Sequence, residues 1–283
     1  MSDPKLLKFT MSDGVKIIAD IWNAGNKKTI LLAHGGGQTR HSWAGTARLL
    51  AQSGYQVINY DARGHGDSGW SEDNAYPIER RWSDMKKICD CINGPIAIIG
   101  ASMGGVSALY GVSSGYRPKA LVLVDIVPNA ERSGMQRVQS FMRSGVSGFS
   151  SVADAADTVA KYNPDRPRPK STDGLKKNLR LRADGRWYWH WDPGMLDLDI
   201  DEERALLART VDSLAKVDNL PVLMVRGEKS DVVKRATADQ FHQRVPFVQL
   251  VSIRGAGHMV AGDKNDHFFD AISSFLKIHY QVG

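Results

Sequence analysis

The feature that most constrains the fold is a short segment at residues 95–105, which reads PIAIIGASMGG. The apolar run before Gly100 is typical of a strand buried on both faces, and the residues after Gly105 follow a helix-compatible pattern. Ser102 therefore falls at the corner between strand and helix, inside a G-x-S-x-G pattern. Glycines on both sides of the serine let neighbouring backbone approach closely. The segment nominates Ser102 as a nucleophile on a sharp turn.

The rest of the chain alternates strand-like and helix-like segments. The predicted strands cover residues 8–22 (a hairpin turning at Asp13-Gly14), 29–33, 56–60, 95–100, 120–127, 220–226 and 248–253, and the predicted helices cover residues 43–53, 76–92, 102–113, 237–243 and 266–279. A strand that returns through a helix to the next strand builds a parallel sheet. We therefore predict an α/β fold, a mostly parallel doubly wound sheet with helices on both faces.

Residues 129–215 interrupt this alternation. They are rich in small and polar residues and include a proline-rich stretch at 163–170. We expect an inserted helical cap here, placed on a core formed by residues 1–128 and 216–283. Such an insertion would roof the substrate pocket.

The predicted cap contains an unusual aromatic run. Trp187, Trp189 and Trp191 alternate with Tyr188 and His190, so the three indole rings would share one face of an extended segment. They either pack the cap onto the core or line an apolar or aromatic substrate pocket, to which His190 would also contribute.

Composition narrows the functional classes. The chain has 283 residues, of which 42% are hydrophobic and 24% charged, values typical of a globular protein with one large core. Residues 1–8 carry charges instead of a signal-peptide core, and no apolar run approaches a bilayer span. We expect a cytoplasmic protein without a membrane partner. The spacing of Cys89 and Cys91 favours neither a disulfide nor a metal site.

The net charge of +6 is concentrated in one segment, between Lys161 and Arg186. No nucleic-acid-binding motif surrounds it, so we expect no nucleic acid partner. The segment is either a solvated surface or an electropositive rim that steers anionic substrates. A small molecule is the expected partner, with aromatic or anionic groups as candidates.

Four motifs occur in a characteristic order: HGGG at residues 34–37, DARGHGDS at 61–68, GASMG at 100–104 and GAGH at 255–258. Together they resemble the α/β-hydrolase superfamily, in which a serine nucleophile precedes its histidine in the chain. The resemblance implies that His258 is the general base. The flexible glycine loop before His258 suits delivery of an imidazole to the edge of the sheet.

The acid of the triad has two candidates. The resemblance implies an acid soon after Gly227, but Ser230 stands at that position and Asp231 comes one residue later. Some capped members place the acid at the end of the preceding strand, where this chain has Asp125. A carboxylate that ends an apolar strand is costly to bury without a partner. We favour Asp125 and keep Asp231 as the alternative.

Other polar residues near the strand ends are interpreted as structural. His34 and His65 lie in tight turns, where their rings would hold loop geometry through hydrogen bonds. Asp61 also ends a strand, and its context predicts either a pair with Arg63 or a capped turn.

A tetrahedral intermediate needs two hydrogen-bond donors for its oxyanion. The N–H of Met103, directly after the nucleophile, would be one. The second donor would come from the HGGG loop at residues 34–37, from the N–H of Gly36 or alternatively of Gly37. Gly37 would also border the substrate.

These residues predict a serine hydrolase of carboxylic esters or lactones that works through an acyl-enzyme, without metal or cofactor. Close alternatives are hydrolysis of a C–C bond or an activated amide, including substrates of the acetamidomethylene-succinate type. A different class is a ligand-binding receptor that keeps the fold and pocket without turnover. The sequence predicts neither the substrate nor the oligomeric state.

Overall fold

A computed structural model describes residues 3–164, 171–197, 199–263 and 265–282. Part of the proline-rich stretch, residues 165–170, lies outside the described residues. The strands are β1 (Lys5–Thr10), β2 (Lys16–Trp22), β3 (Thr29–Ala33), β4 (Gln56–Tyr60), β5 (Ile96–Ala101), β6 (Ala120–Val124), β7 (Leu179–Leu181), β8 (Trp187–Trp189), β9 (Val222–Gly227) and β10 (Gln249–Ile253). The α-helices are α1 (Ala44–Gln52), α2 (Ile78–Asp90), α3 (Met103–Ser113), α4 (Arg132–Arg143), α5 (Val152–Tyr162), α6 (Ile200–Leu214), α7 (Arg235–Arg244), α8 (Val260–Asp263) and α9 (Asn265–His279).

The central sheet has eight strands in the order β1-β2-β4-β3-β5-β6-β9-β10. The first two strands pair antiparallel with each other, and β2 also runs antiparallel to β4. From β4 to β10 every pair is parallel. The predicted α/β fold with a mostly parallel sheet is confirmed. The candidate functional residues lie at the carboxyl edge of the central sheet, in the loops that follow β3, β5, β6, β9 and β10.

Apolar side chains cover both faces of the sheet. On β3, Leu31 belongs to one core cluster, while Ile30 and Leu32 belong to the other, as the alternation of strand side chains requires. Helices α2, α3 and α6 contribute to the first cluster, and helices α1 and α9 to the second. Burial on both faces explains why the strands read as continuous apolar runs.

The stretch between β6 and β9 contains α4, α5, the two-stranded β7–β8 sheet and α6. Helix α6 packs against α3 and buries Leu207, Val211 and Leu214 in the core of the central sheet. The preceding elements have an apolar cluster of their own, which includes Met142, Phe149 and Trp189, among other residues. By its packing, α6 thus belongs to the helical layer of the core although it lies within residues 129–215.

Two remaining features bear on the expectations from composition. Of the helices in the described part of the chain, none combines the length and apolar character that crossing a bilayer requires. Both thiols are free, Cys89 buried on α2 and Cys91 exposed just beyond it.

Candidate active site

Ser102 occupies a strained turn between β5 and α3. Its backbone has φ +44° and ψ −116°, a combination that L-residues rarely adopt and that costs about 1–3 kcal/mol. Packing excludes side chains at the two glycines of the turn, since a Cβ at Gly104 would lie 2.5 Å from the Ala33 carbonyl oxygen and one at Gly100 would lie 2.7 Å from Gly105. The Ser102 N–H donates to the carbonyl of Val124, 3.0 Å away. These contacts hold the serine where β5 ends.

His258 reaches the same edge from the loop between β10 and α8. The loop can approach because β9 ends in Gly227, where a Cβ would lie 2.1 Å from the Gly257 carbonyl oxygen. Nδ1 of His258 lies 2.6 Å from Oδ2 of Asp125. This contact leaves Nε2 of the imidazole as the nitrogen for proton exchange with a substrate or nucleophile.

Asp125 follows β6 directly and is buried, with φ +53°. Its Oδ1 accepts a hydrogen bond from the Gly227 N–H at 3.0 Å, and its Oδ2 accepts from the Ser230 hydroxyl at 2.5 Å as well as contacting His258. The structure therefore joins His258 to Asp125. Asp231 faces away and forms an ion pair with Arg137 of α4 at 2.9 Å.

Ser230 was not among the site residues predicted from the sequence. Its hydroxyl donates to Asp125 and accepts from the N–H groups of Val232 and Val233, at 3.2 and 3.1 Å. The sequence did contain a signal for Ser230, because this serine stands at the position where the resemblance implies an acid. Ser230 fixes the carboxylate that contacts His258.

Replacing Ser230 by alanine should lower kcat for an ester about tenfold, because Asp125 would lose one of its donors. The free energy of unfolding should fall by about 1–3 kcal/mol, since two buried N–H groups would lose their acceptor. Ser230→Thr, which keeps the hydroxyl, is the control and should retain most of the activity. Equal activity of Ser230→Ala and the parent protein in steady-state kinetics would contradict a positioning role.

Met103 and Gly36 line the same cavity as Ser102, and their backbone N–H groups donate to no acceptor in the described residues. The N–H of Gly37 is already used, because it donates to Nε2 of His65 at 3.1 Å. Gly37 adopts φ +71°, a conformation that glycine tolerates well. This geometry favours Gly36 over Gly37 as the second oxyanion donor.

Three buried histidines hold the segments at residues 34–37 and 61–68 in place. Nε2 of His34 accepts from the Ala62 N–H at 2.9 Å, so its Nδ1 carries the proton and donates to the Gly35 carbonyl at 2.8 Å. The His65 ring lies against that of His34, with centroids 4.9 Å apart. Nδ1 of His190 accepts from the Gly66 N–H at 2.7 Å. All three rings are buried and act as structural hydrogen-bonding groups.

Burial, together with the smaller effects of the nearby His34 and Arg180, lowers the pKa of His190 to about 3. The unfolded chain titrates near 6.5, so the stabilisation from the neutral ring is complete above pH 6.5 and declines as pH falls toward 3. Between pH 7.5 and 5.0 the loss from His190 alone should be about 2 kcal/mol. Urea unfolding at both pH values measures the total pH dependence, to which the buried His34 and His65 also contribute because burial lowers the pKa of each.

His190→Asn keeps an acceptor for the Gly66 N–H and does not titrate. Its free energy of unfolding should therefore vary less with pH than that of the parent protein, by about 2 kcal/mol over the same interval. An identical pH dependence in the two proteins would show that His190 does not cause the loss.

Asp61 pairs with a different arginine from the one predicted. Its carboxylate accepts from the guanidinium and the N–H of Arg40 and from the N–H of Asp67. Arg63 instead donates to Asp84 of α2 through Nε and Nη2, at 2.5 and 2.7 Å. The prediction of a capped turn agrees with this geometry, but the Asp61–Arg63 pair was wrong, because Arg63 points toward α2.

Ser102, Met103 and His258 line one cavity of about 550 Å³, between the sheet edge and the residue 129–215 stretch. Gly36 and Gly37 border it as well. Its lining is mostly apolar and includes Val106, Met135, Val138, Phe141, Met142, Val159, Leu175, Trp189, Trp191, Leu196 and Met259. A cavity of this size and character suits a small apolar ligand.

The aromatic run only partly follows its prediction. Trp189 and Trp191 stack on each other, with centroids 4.9 Å apart, and both line the cavity. Trp187 lies outside the lining, where its backbone pairs with Phe149. His190 is also outside the lining, and its ring accepts the hydrogen bond from the Gly66 N–H. Strand β8 ends at Trp189, so the expected alternation does not extend to one shared face.

Few charges face the cavity. Within the described residues, its lining holds one ion pair, between Arg81 and Glu203 at 2.8 Å. The arginines of the basic segment are engaged elsewhere: Arg180 pairs with Asp67, and Arg182 stacks on Tyr188. The described part of that segment thus contributes no unpaired cation to the lining. The structure also contains no group of three or more potential metal ligands among its described residues.

Comparison with known proteins agrees with the fold described above. The family model described as alpha/beta hydrolase fold matches residues 28–264. The esterase Rv0045c of Mycobacterium tuberculosis is 27% identical over 260 residues, covering 89% of this chain and 84% of that protein. The mouse (Mus musculus) sn-1-specific diacylglycerol lipase ABHD11 is 26% identical, covering 87% of this chain and 80% of the lipase.

Among solved structures, an α/β hydrolase from Novosphingobium aromaticivorans superposes with a TM-score of 0.82 at 23% identity, covering 98% of this chain and 99% of that one. The fold, the match to the family model and the order of the motifs together define a hydrolase with a serine at the strand-to-helix turn. The chain belongs to the α/β-hydrolase fold family.

Proposed function

We propose that this protein hydrolyses carboxylic esters, lactones included, through an acyl-enzyme on Ser102. The observation that carries the proposal is the 2.6 Å contact between His258 and the buried Asp125, in a site where His258 and Ser102 line the same cavity. A serine needs a base to become nucleophilic, and the base needs an acid that orients it. In the proposed site, Ser102 is the nucleophile, His258 the base and Asp125 the acid.

In the proposed reaction, Oγ of Ser102 attacks the ester carbonyl while Nε2 of His258 takes the serine proton. The N–H groups of Met103 and Gly36 stabilise the oxyanion of the tetrahedral intermediate. His258 returns the proton to the leaving alcohol, and Asp125 stabilises the imidazolium formed in between. Water activated by the same imidazole then releases the acid and regenerates the serine.

The cavity favours an apolar acyl group. Most of the wall is apolar, with methionine, valine and aromatic side chains prominent in it, and within the described residues its one ion pair carries no net charge. Each methylene that leaves water on binding contributes about 0.8 kcal/mol. A dicarboxylate such as an acetamidomethylene succinate would find no unpaired cation among the described lining residues, so this alternative receives less support.

The test is covalent labelling of the serine. A fluorophosphonate should add one phosphonyl group per chain, with loss of fluoride, and the adduct should be absent from Ser102→Ala in intact-protein mass spectrometry. In assays with p-nitrophenyl acetate, butyrate, octanoate and laurate, kcat/KM for octanoate should exceed that for acetate at least tenfold. Folded protein that neither takes the label nor hydrolyses these esters would refute the proposal and favour a ligand-binding receptor.

A further inference from the structure

An ion pair lies in the wall of the active-site cavity without a part in the proposed reaction. Arg81 of α2 and Glu203 of α6 both line the cavity, and Nη2 of the arginine donates to Oε1 of the glutamate at 2.8 Å. Arg81 also lines a second, very small cavity together with Met103. The pair is therefore close to the turn that carries Ser102.

Arg81 has more hydrogen-bond donors than partners. A guanidinium carries five N–H donors, yet within residues 3–164, 171–197, 199–263 and 265–282 this side chain makes only the bond to Glu203. Its side chain is only 5% exposed, and its Nε is buried without an acceptor. Buried donors without an acceptor are unfavourable. Because Arg81 lines the active-site cavity, a group that binds there would be a suitable acceptor for this guanidinium.

The position of Arg81 on its helix makes this burial unusual. Arg81 shares the buried face of α2 with Ile78, Trp82 and Met85, where an apolar side chain would pack against the core. A buried ion pair is weak evidence for stability, since hydrophobic residues often replace such pairs without loss. A ligand that uses the spare donors would give the pair a function.

The charges of the pair select the chemistry of that ligand. Arg81 and Glu203 neutralise each other, so a carboxylate bound at Arg81 would be repelled by Glu203. A hydroxyl group suits both partners, because it accepts from the guanidinium and donates to the carboxylate. We propose that Arg81 and Glu203 recognise a hydroxyl group on the substrate, which makes hydroxylated esters the preferred class. This inference rests on the esterase activity proposed above.

A matched set of substrates tests the proposal. We would measure kcat/KM for p-nitrophenyl octanoate, its 6-, 7- and 8-hydroxy derivatives, the corresponding methoxy esters, which accept but do not donate, and mono-p-nitrophenyl suberate, which carries a carboxylate. At least one hydroxy ester should be preferred over octanoate by tenfold or more, and over its methoxy analogue by at least threefold. The suberate ester should be the poorest substrate.

Two variants and a control assign the preference to the ion pair. Arg81→Met should reduce the ratio of hydroxy ester to octanoate to about one. Glu203→Gln, which keeps the shape of the side chain, should raise kcat/KM for the suberate ester at least tenfold by removing the repelling charge. Arg80→Met is the control, because Arg80 pairs with Asp73 on the surface and should leave both ratios unchanged.

The outcomes separate this proposal from the esterase function. Hydrolysis of octanoate without a preference for any hydroxy ester, or with a preference for suberate, would overturn hydroxyl recognition and leave the esterase intact. A preference that survives in both Arg81→Met and Glu203→Gln would also overturn it. Absence of hydrolysis together with absence of labelling at Ser102 would refute the proposed function itself.

Discussion

Replacing Ser102 by alanine should lower kcat for p-nitrophenyl octanoate by roughly 10⁵-fold or more, the loss typical of removing a serine nucleophile. Alanine removes the oxygen that attacks the ester and changes nothing else at the turn, whose backbone strain at φ +44° remains. Binding of the substrate should persist, because the apolar wall of the cavity is intact. The measurement is steady-state hydrolysis followed by absorbance, with KM or an inhibitor constant as the readout for binding.

The control is Ser113→Ala, at the far end of the same helix, where the hydroxyl donates to the Tyr110 carbonyl. It should hydrolyse the ester at the parental rate. Activity above about 1% of the parental value in a purified Ser102→Ala preparation would mean that another group attacks the ester. The assignment of the nucleophile would then be wrong.

The second large effect concerns the choice between two carboxylates. Asp125→Asn should reduce kcat about 10³- to 10⁴-fold, because the amide can neither fix the tautomer of His258 nor stabilise the imidazolium. Asp231→Asn should change kcat by less than threefold, since it removes only an exposed ion pair with Arg137, and such pairs contribute at most about 1 kcal/mol. The two variants have identical changes in volume and charge, so each is the control for the other.

Steady-state kinetics across pH 5 to 9, with circular dichroism to establish folding, would complete the comparison. Similar, small losses in both variants would remove Asp125 from the proposed triad. A large loss in Asp231→Asn alone would move the acid to the position one residue after Ser230.

Local pattern predicted the fold well because the sheet is buried on both faces. The apolar residues of β3 and β4 predicted the bounds of these strands without error, and the glycines around Ser102 indicated the turn from the sequence alone. These signals are local: a run of apolar residues, a small residue where backbone must approach. They require no knowledge of which distant segments meet.

The choice of the triad acid depended on which distant segments of the chain are in contact. Asp125 and His258 are 133 residues apart, and the sequence offered two carboxylates with no means of measuring which one lies beside the imidazole. The partner of Asp61 was mistaken for the same reason, since Arg63 is its near neighbour in the chain, whereas Arg40 is 21 residues away and only the fold brings it to the carboxylate. Arg81 had a signal, its place on the apolar face of α2, but its partner on α6 had none.

The Ser230–Asp231 dipeptide has a consequence for how the molecule moves. Ser230 holds the Asp125 carboxylate, and the adjacent Asp231 holds Arg137 of α4, a helix that contributes to the cavity wall. Helix α4 also lies very close to this loop: a Cβ at Gly134 would be 2.3 Å from the Asp231 carbonyl oxygen. The wall of the cavity is thus connected to the acid beside the imidazole by an ion pair, the Ser230–Asp231 peptide bond and a hydrogen bond. We expect a displacement of α4 to disturb the alignment of the Asp125 carboxylate through these three links.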